Sequence, residues 1–73
     1  MGNDDKMLSE RIQAALAARG MKQADLARET GLSTALIAQI TTGQTSNPQF
    51  RHVVAISKAL DVTLDYLAGY EEL

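Results

Sequence analysis

Apolar positions recur along nearly the whole chain with helical spacing. Leu8, Ile12, Ala15 and Leu16 stand at i, i+4, i+7 and i+8, with Glu10, Gln13 and Ala14 on other faces. That is the single apolar stripe of a first helix running to about Arg19, where Gly20 supplies a stop. A short second helix is predicted over 23–30, directing Ala24, Leu26 and Ala27 to the core and ending at Gly31. Ser33 reads as the N-cap of a third helix, because its hydroxyl can accept a free backbone N–H of the next turn. Ile37 and Ile40 give that helix a buried face, and it closes near Thr41. The stretch 41–49 collects Thr, Gly, Gln, Ser, Asn and the single proline, Pro48, which is loop chemistry with a proline placed to open the next helix. Phe50, Val53, Val54, Ile56 and Leu60 mark a strongly apolar fourth helix. Thr63 caps a short fifth that buries Leu64 and Leu67 and stops at Gly69. No period-two alternation and no internal repeat interrupt this pattern. It predicts an all-α chain, a compact five-helix bundle over 8–69, with an N-terminal extension over 1–7 and a C-terminal tail over 70–73.

Length and composition narrow the class. With 73 residues there is room for one domain and one modest core, since chains this small bury only about 60% of the surface their unfolded forms expose. Hydrophobic residues make up 45% and charged residues 22%, the balance of a folded domain and not of a disordered tail. Cysteine is absent, which removes disulfides and thiolate metal sites and makes a reducing cytoplasm the expected compartment. No apolar run approaches the roughly 18 residues needed to cross a bilayer, so no membrane association is expected.

Catalytic chemistry finds no footing. Asp4-Asp5 and Glu71-Glu72 are acid pairs near the ends of the chain, where nothing raises a carboxyl pKa for acid–base work. Neither a nucleophile elbow nor a glycine-rich phosphate loop is present, and His52, the only histidine, reads as a solvated or capping residue. The chain is therefore expected to be no enzyme, with no catalytic residue, cofactor, metal ion or small-molecule ligand.

Charge leaves one class of partner open. The net charge of −2 and pI near 5.1 are not those of a generic nucleic-acid binder. Its distribution is uneven, however. Arg19, Lys22, Arg28, Arg51 and Lys58 against Asp25 and Glu29 give residues 19–58 a net +3, while 1–18 carry −1 and 59–73 carry −4. A mildly basic middle between acidic ends suits a localised anion-facing surface.

The unit 22–41 explains such a surface. Two short helices joined by a tight glycine-containing turn let the second helix project into a DNA major groove. Leu26, Ala27, Leu32, Ile37 and Ile40 would fix the angle between them, leaving Thr34, Ala35, Leu36, Ala38 and Gln39 facing outward. The segments KQADLARETGLSTALIAQITTG (22–43), GQTSNPQF (43–50) and ISKALDVTLDYLAG (56–69) together resemble the Cro/repressor helix-turn-helix family, especially the DNA-binding domains of lambdoid phage repressors. The resemblance implies a lambda-repressor-like five-helix domain whose second and third helices form the helix-turn-helix. It also implies the function of a phage or prophage transcriptional regulator, a repressor that binds double-stranded operator DNA as a homodimer. By the same resemblance the base contacts fall on Thr34, Ala35, Leu36 and Gln39. Glutamine can pair with both adenine N6 and N7, and alanine or leucine can touch a thymine methyl. The phosphate contacts fall on Lys22, Gln23, Ser33, Thr42, Gln44 and Ser46, with the N-terminus of the second helix favouring an anion through its free N–H groups and dipole. The dimer contact is expected around Val62 to Tyr66.

Two departures bear on function. Many relatives pair a glutamate, two residues before the loop glycine, with a basic residue on the first helix, and here those positions hold Thr41 and Leu16. Relatives also carry Lys or Arg after that glycine, where this chain has Gln44, Thr45, Ser46, Asn47 and Gln49. The uncharged third helix, polar loop and outward Leu36 keep a second reading open: a protein-interaction module or an antitoxin on the same fold, with weak or lost DNA binding.

Overall fold

The structure, a computed structural model, describes residues 4–45 and 47–70. Five helices and no strand are found among them: α1 (Asp4–Arg19), α2 (Gln23–Thr30), α3 (Thr34–Thr41), α4 (Phe50–Leu60) and α5 (Leu64–Ala68). The chain is thus an all-α five-helix bundle, as its hydrophobic periodicity predicts. α1 packs against α3, α4 and α5, while α2 packs against α3 and α4.

The core is a single cluster. Ile12, Leu26, Ile37, Ile40, Ile56, Leu60 and Leu67 lose essentially all exposure, and Met21, Leu32, Leu36, Val53 and Val62 pack against them half-buried. Each fully buried aliphatic side chain contributes about 1.5–3 kcal/mol relative to an exposed one.

Several boundaries and orientations differ from the expectation. α1 begins at Asp4, so residues 4–7, expected in the extension, are helical. Met7 gives that turn something to pack on: its sulfur lies 3.0 Å from where a Cβ on Gly69 would stand, so α1 seats closely on the end of α5. α4 starts at Phe50 with Gln49 as its cap, leaving Pro48 one residue before the cap and outside the first turn. Ala24 is exposed, although the spacing directed it inward. Phe50, at the first position of α4, is 71% exposed at the mouth of a cavity it lines with Met7 and Leu8 of α1 and with Leu64 of α5. On α5 the inward pair is Tyr66 and Leu67, and Leu64 is 37% exposed. A helix of five residues makes little more than one turn, so its angle to α1 decides which side chains are covered. Tyr66 is held from both sides: the Arg11 guanidinium lies 4.8 Å from its ring centre, and its hydroxyl donates to the Arg11 carbonyl. At 3% exposure Tyr66 is a core residue and offers nothing to a dimer contact.

Helices α2, α4 and α5 end on left-handed residues, Gly31, Asp61 and Gly69. Gly31 at φ 77° donates its N–H to the Ala27 carbonyl, a conformation that costs glycine no Cβ clash. Asp61 does the same for α4 at φ 56°, and aspartate is one of the few other residues that tolerates it. Arg19, at the end of α1, reaches the Asp61 carbonyl at 3.3 Å and its carboxylate at 3.6 Å, tying the two helix ends together.

Candidate nucleic-acid interface

The joint between α2 and α3 is built from local hydrogen bonds. The Thr30 hydroxyl donates to the Leu26 carbonyl at 2.8 Å and accepts the Leu32 N–H at 3.2 Å, closing the turn after Gly31. The Ser33 hydroxyl then caps α3 by accepting the Leu36 N–H at 3.1 Å. Behind this joint Leu26 and Ala27 of α2 are buried with Ile37 and Ile40 of α3, which sets the angle between the two helices.

That packing leaves one side of α3 open. Thr34, Ala35 and Gln39 are exposed and share this outward side. Leu36, expected beside them as a base contact, is half-buried and packed against the core. The reason is geometric: it lies one turn from Ile40, on the margin of the stripe that faces α1 and α2. Ala38 is half-buried as well.

The residues expected to face phosphates divide more sharply. Lys22 and Gln23 are exposed at the N-terminus of α2. Lys22 caps the helix and its N–H donates to the Asp25 carboxylate at 3.0 Å, half of a capping box whose return bond a lysine ammonium cannot accept. The N–H groups of Gln23 and Ala24 still point out of the first turn, where no carbonyl of the helix can reach them. Ser33 is exposed, and its hydroxyl, an acceptor toward Leu36, retains its proton to donate. Thr42 is exposed and spends its donors within the helix. Its N–H and its hydroxyl both donate to the Ala38 carbonyl, at 3.0 and 2.7 Å, and a phosphate offers only acceptors. Gln44 is exposed on a loop that folds back on α3 through a bond from the Thr45 N–H to the Gln39 carbonyl at 3.1 Å. Ser46 lies outside the described residues.

Charge at this surface is partly self-compensated. The Arg28 side chain, 71% exposed, donates to Asp25 at 2.5 Å, and Arg51 donates to the Gln49 side chain at 3.0 Å. The Asp25 carboxyl is held below its ordinary value of 3.8, chiefly by the Lys22 N–H and then by Arg28. A carboxylate with a lowered folded-state pKa stabilises the fold above its ordinary pKa and loses that effect as pH falls through the folded value. At neutral pH Asp25→Asn is therefore expected to melt below the wild type, with the gap shrinking as the pH is lowered past 3.8. Thermal denaturation of both proteins from about pH 7 down to about pH 2 checks it, and a gap of constant size would rule out the charge as its cause.

Sequence reasoning missed one residue of this region. Gln13 of α1, read as part of a polar face, donates from its side-chain amide to the main-chain carbonyl of Thr41, at the end of α3. The contact joins positions 28 apart, and no local signal announces it.

Among the described residues no cluster of His, Asp or Glu side chains could hold a metal ion, and no helix is long and apolar enough to cross a membrane. The geometry is a projecting helix with an exposed uncharged face, next to a helix N-terminus with free N–H donors. A family model described as "Helix-turn-helix" matches residues 12–67, which takes in all of α2 to α4, the second half of α1 and most of α5. The chain belongs to the XRE-type helix-turn-helix family. Members of this family are DNA-binding proteins and not enzymes. The domain is 38% identical over 63 residues to proteins named "HTH-type transcriptional regulator for conjugative element R391" from Providencia rettgeri and "HTH-type transcriptional regulator for conjugative element SXT" from Vibrio cholerae, covering 86% of this chain and 28% of each relative. An "Uncharacterized HTH-type transcriptional regulator" from Coxiella burnetii is 29% identical over 66 residues, 90% of this chain and 31% of the relative. The helix-turn-helix chain thus spans less than a third of the length of the curated relatives it matches. No solved structure matches it significantly.

Proposed function

We propose that this domain binds double-stranded DNA as part of a cytoplasmic transcriptional regulator, a repressor that reads a pseudo-palindromic operator with α3 in the major groove. The observation that carries this reading is the exposed side of α3, where Thr34, Ala35 and Gln39 stand together on a helix whose other side is buried. Gln39 takes adenine, Ala35 a thymine methyl, and Thr34 either kind of edge. Lys22, Gln23, Ser33 and Gln44 set the register on the backbone, with a phosphate at the N-terminus of α2. The relatives named as regulators of conjugative elements favour a mobile-element setting.

The dimensions of the domain suit binding as a two-fold pair. The chain measures 32 Å along its longest axis, and successive major grooves on one face of the duplex lie about 34 Å apart. In this reading each copy supplies one reading helix to one of two successive major grooves. With Tyr66 buried, a contact in the expected run from Val62 to Tyr66 would fall on Thr63, Leu64 and Asp65, which are exposed.

The rival reading, an interaction module or antitoxin, rests on the uncharged third helix, the polar loop and an outward Leu36, and the half-burial of Leu36 weakens the last of these grounds alone.

Selection from a random duplex pool tests the proposal, followed by anisotropy titration of the winner and a scrambled duplex across a salt series. An enriched two-fold motif bound at least about a thousandfold better than the control supports a specific reader. Failure to enrich any motif would overturn it. If Lys22, Arg28 and Arg51 neutralise roughly four to six phosphates per dimer, the log–log salt slope is about −4 to −5. A slope steeper than about −8 would contradict that count.

A further inference from the structure

The ion pair by which many relatives join the first helix to the third is absent here, since the two positions hold Leu16 and Thr41. Both side chains are buried, Leu16 at 6% and Thr41 at 0% exposure, and the Thr41 hydroxyl is turned back onto the Ala38 carbonyl at 3.3 Å. Neither can link α1 to α3 through a polar side-chain contact. The polar link is made three residues earlier on α1, where the Gln13 amide donates to the Thr41 main-chain carbonyl. Beside it Ser9, 6% exposed, faces Gly43, with its oxygen 3.5 Å from where a Cβ on that glycine would stand.

The Thr41 carbonyl belongs to the last turn of α3, where carbonyls have no partner within the helix. One bond from α1 at this point, added to the burial of Ile40 and Thr41, holds the C-terminal end of α3 against the body. The N-terminal end is held separately, by the Ser33 cap and the turn to α2. A rod pinned at both ends has a fixed pitch; released at one end, it can swing about the other. Gln39 lies in the half of α3 that such a swing would displace, and base contacts lose strength over fractions of an ångström. The loop carrying Gln44 follows the same end, because the Thr45 N–H bonds to the Gln39 carbonyl.

We infer that Gln13 is a positioning residue for operator recognition: through the Thr41 carbonyl it sets the pitch of α3 with one neutral hydrogen bond. The inference rests on the reading of α3 as the helix that enters the major groove. It assigns Gln13 no contact with DNA. Because the link is neutral, it is indifferent to salt and to pH over the range in which carboxylates and imidazoles titrate.

The test uses the operator selected with the wild-type domain and three variants. Gln13→Glu keeps the shape but removes the donor, Gln13→Ala removes both, and Gln13→Lys restores a donor. The quantity read is the ratio of operator affinity to scrambled-duplex affinity, which cancels the change of net charge. Glu and Ala variants are expected to lower that ratio at least about tenfold, and the Lys variant to recover most of it. Amide hydrogen exchange on the free proteins is expected to quicken at Thr42 and Thr45 in the Glu and Ala variants, and to stay unchanged in α2. A ratio that survives both substitutions overturns the inference while leaving DNA reading intact. So does a variant that melts below the assay temperature, since it would make Gln13 a residue of the fold and not of helix placement. Absence of any enriched operator for the wild type would instead overturn the functional reading beneath it.

Discussion

Ile37→Ala will lower the melting temperature by roughly 10 °C or more and abolish tight operator binding at 37 °C. Ile37 is wholly buried in α3, within the cluster that also holds Leu26, Ile12 and Ile40. Truncating a buried isoleucine to alanine costs about 2–5 kcal/mol, the transfer of the lost methyls plus the cavity left behind. In a domain of this length each kcal/mol moves the midpoint by about 4–8 °C. Small domains rarely hold much more than about 5 kcal/mol in reserve, so most of the stability is at stake. The loss would fall on the proposed function as well, since Ile37, with Ile40, seats α3 between α1 and α2. Thermal unfolding followed by circular dichroism checks the prediction. A shift below about 5 °C would mean that α3 settles into the vacated space and is held mainly by its neighbours.

Gln39→Ala has the opposite signature, a folded protein that no longer discriminates. Gln39 is exposed on α3, and only its main-chain carbonyl takes part in the fold, accepting from Thr45. Alanine is the better helix former, so stability is expected to hold or rise by a few tenths of a kcal/mol. A bidentate glutamine–adenine pair is worth about 1–3 kcal/mol of discrimination, and a two-fold operator engages it twice. Operator affinity should therefore fall at least about 30-fold, with the midpoint of unfolding and the affinity for a scrambled duplex unchanged. Titration of both duplexes beside a melting curve separates the cases. Unchanged operator affinity would remove Gln39 from the reading face, and an equal loss on both duplexes would place it on the phosphate backbone.

Chain-local chemistry determined a large part of this molecule in advance. The bounds of α2, the stop at Gly31, the Ser33 cap and the Thr63 cap were all legible, because each depends on residues within one turn of the site. A hydroxyl before a helix meets the N–H three positions on, whatever the rest of the chain does. The buried stripe of α1 and the pair Ile37 and Ile40 were legible for a similar reason, since the helical period places them on one side.

Only the assembled bundle decided the rest. Periodicity defines a stripe but not its width, which depends on how neighbouring helices cross; so Leu36 was drawn inward against the core and Ala24 left outside. The angle of α5 on α1 chose Tyr66 over Leu64. The bond from Gln13 to Thr41 exists only because two helices far apart in sequence lie side by side. Local order is set by hydrogen bonds within a turn, whereas the orientation of a reading helix is set by what it packs against, and this part of the fold arises from contacts between distant segments.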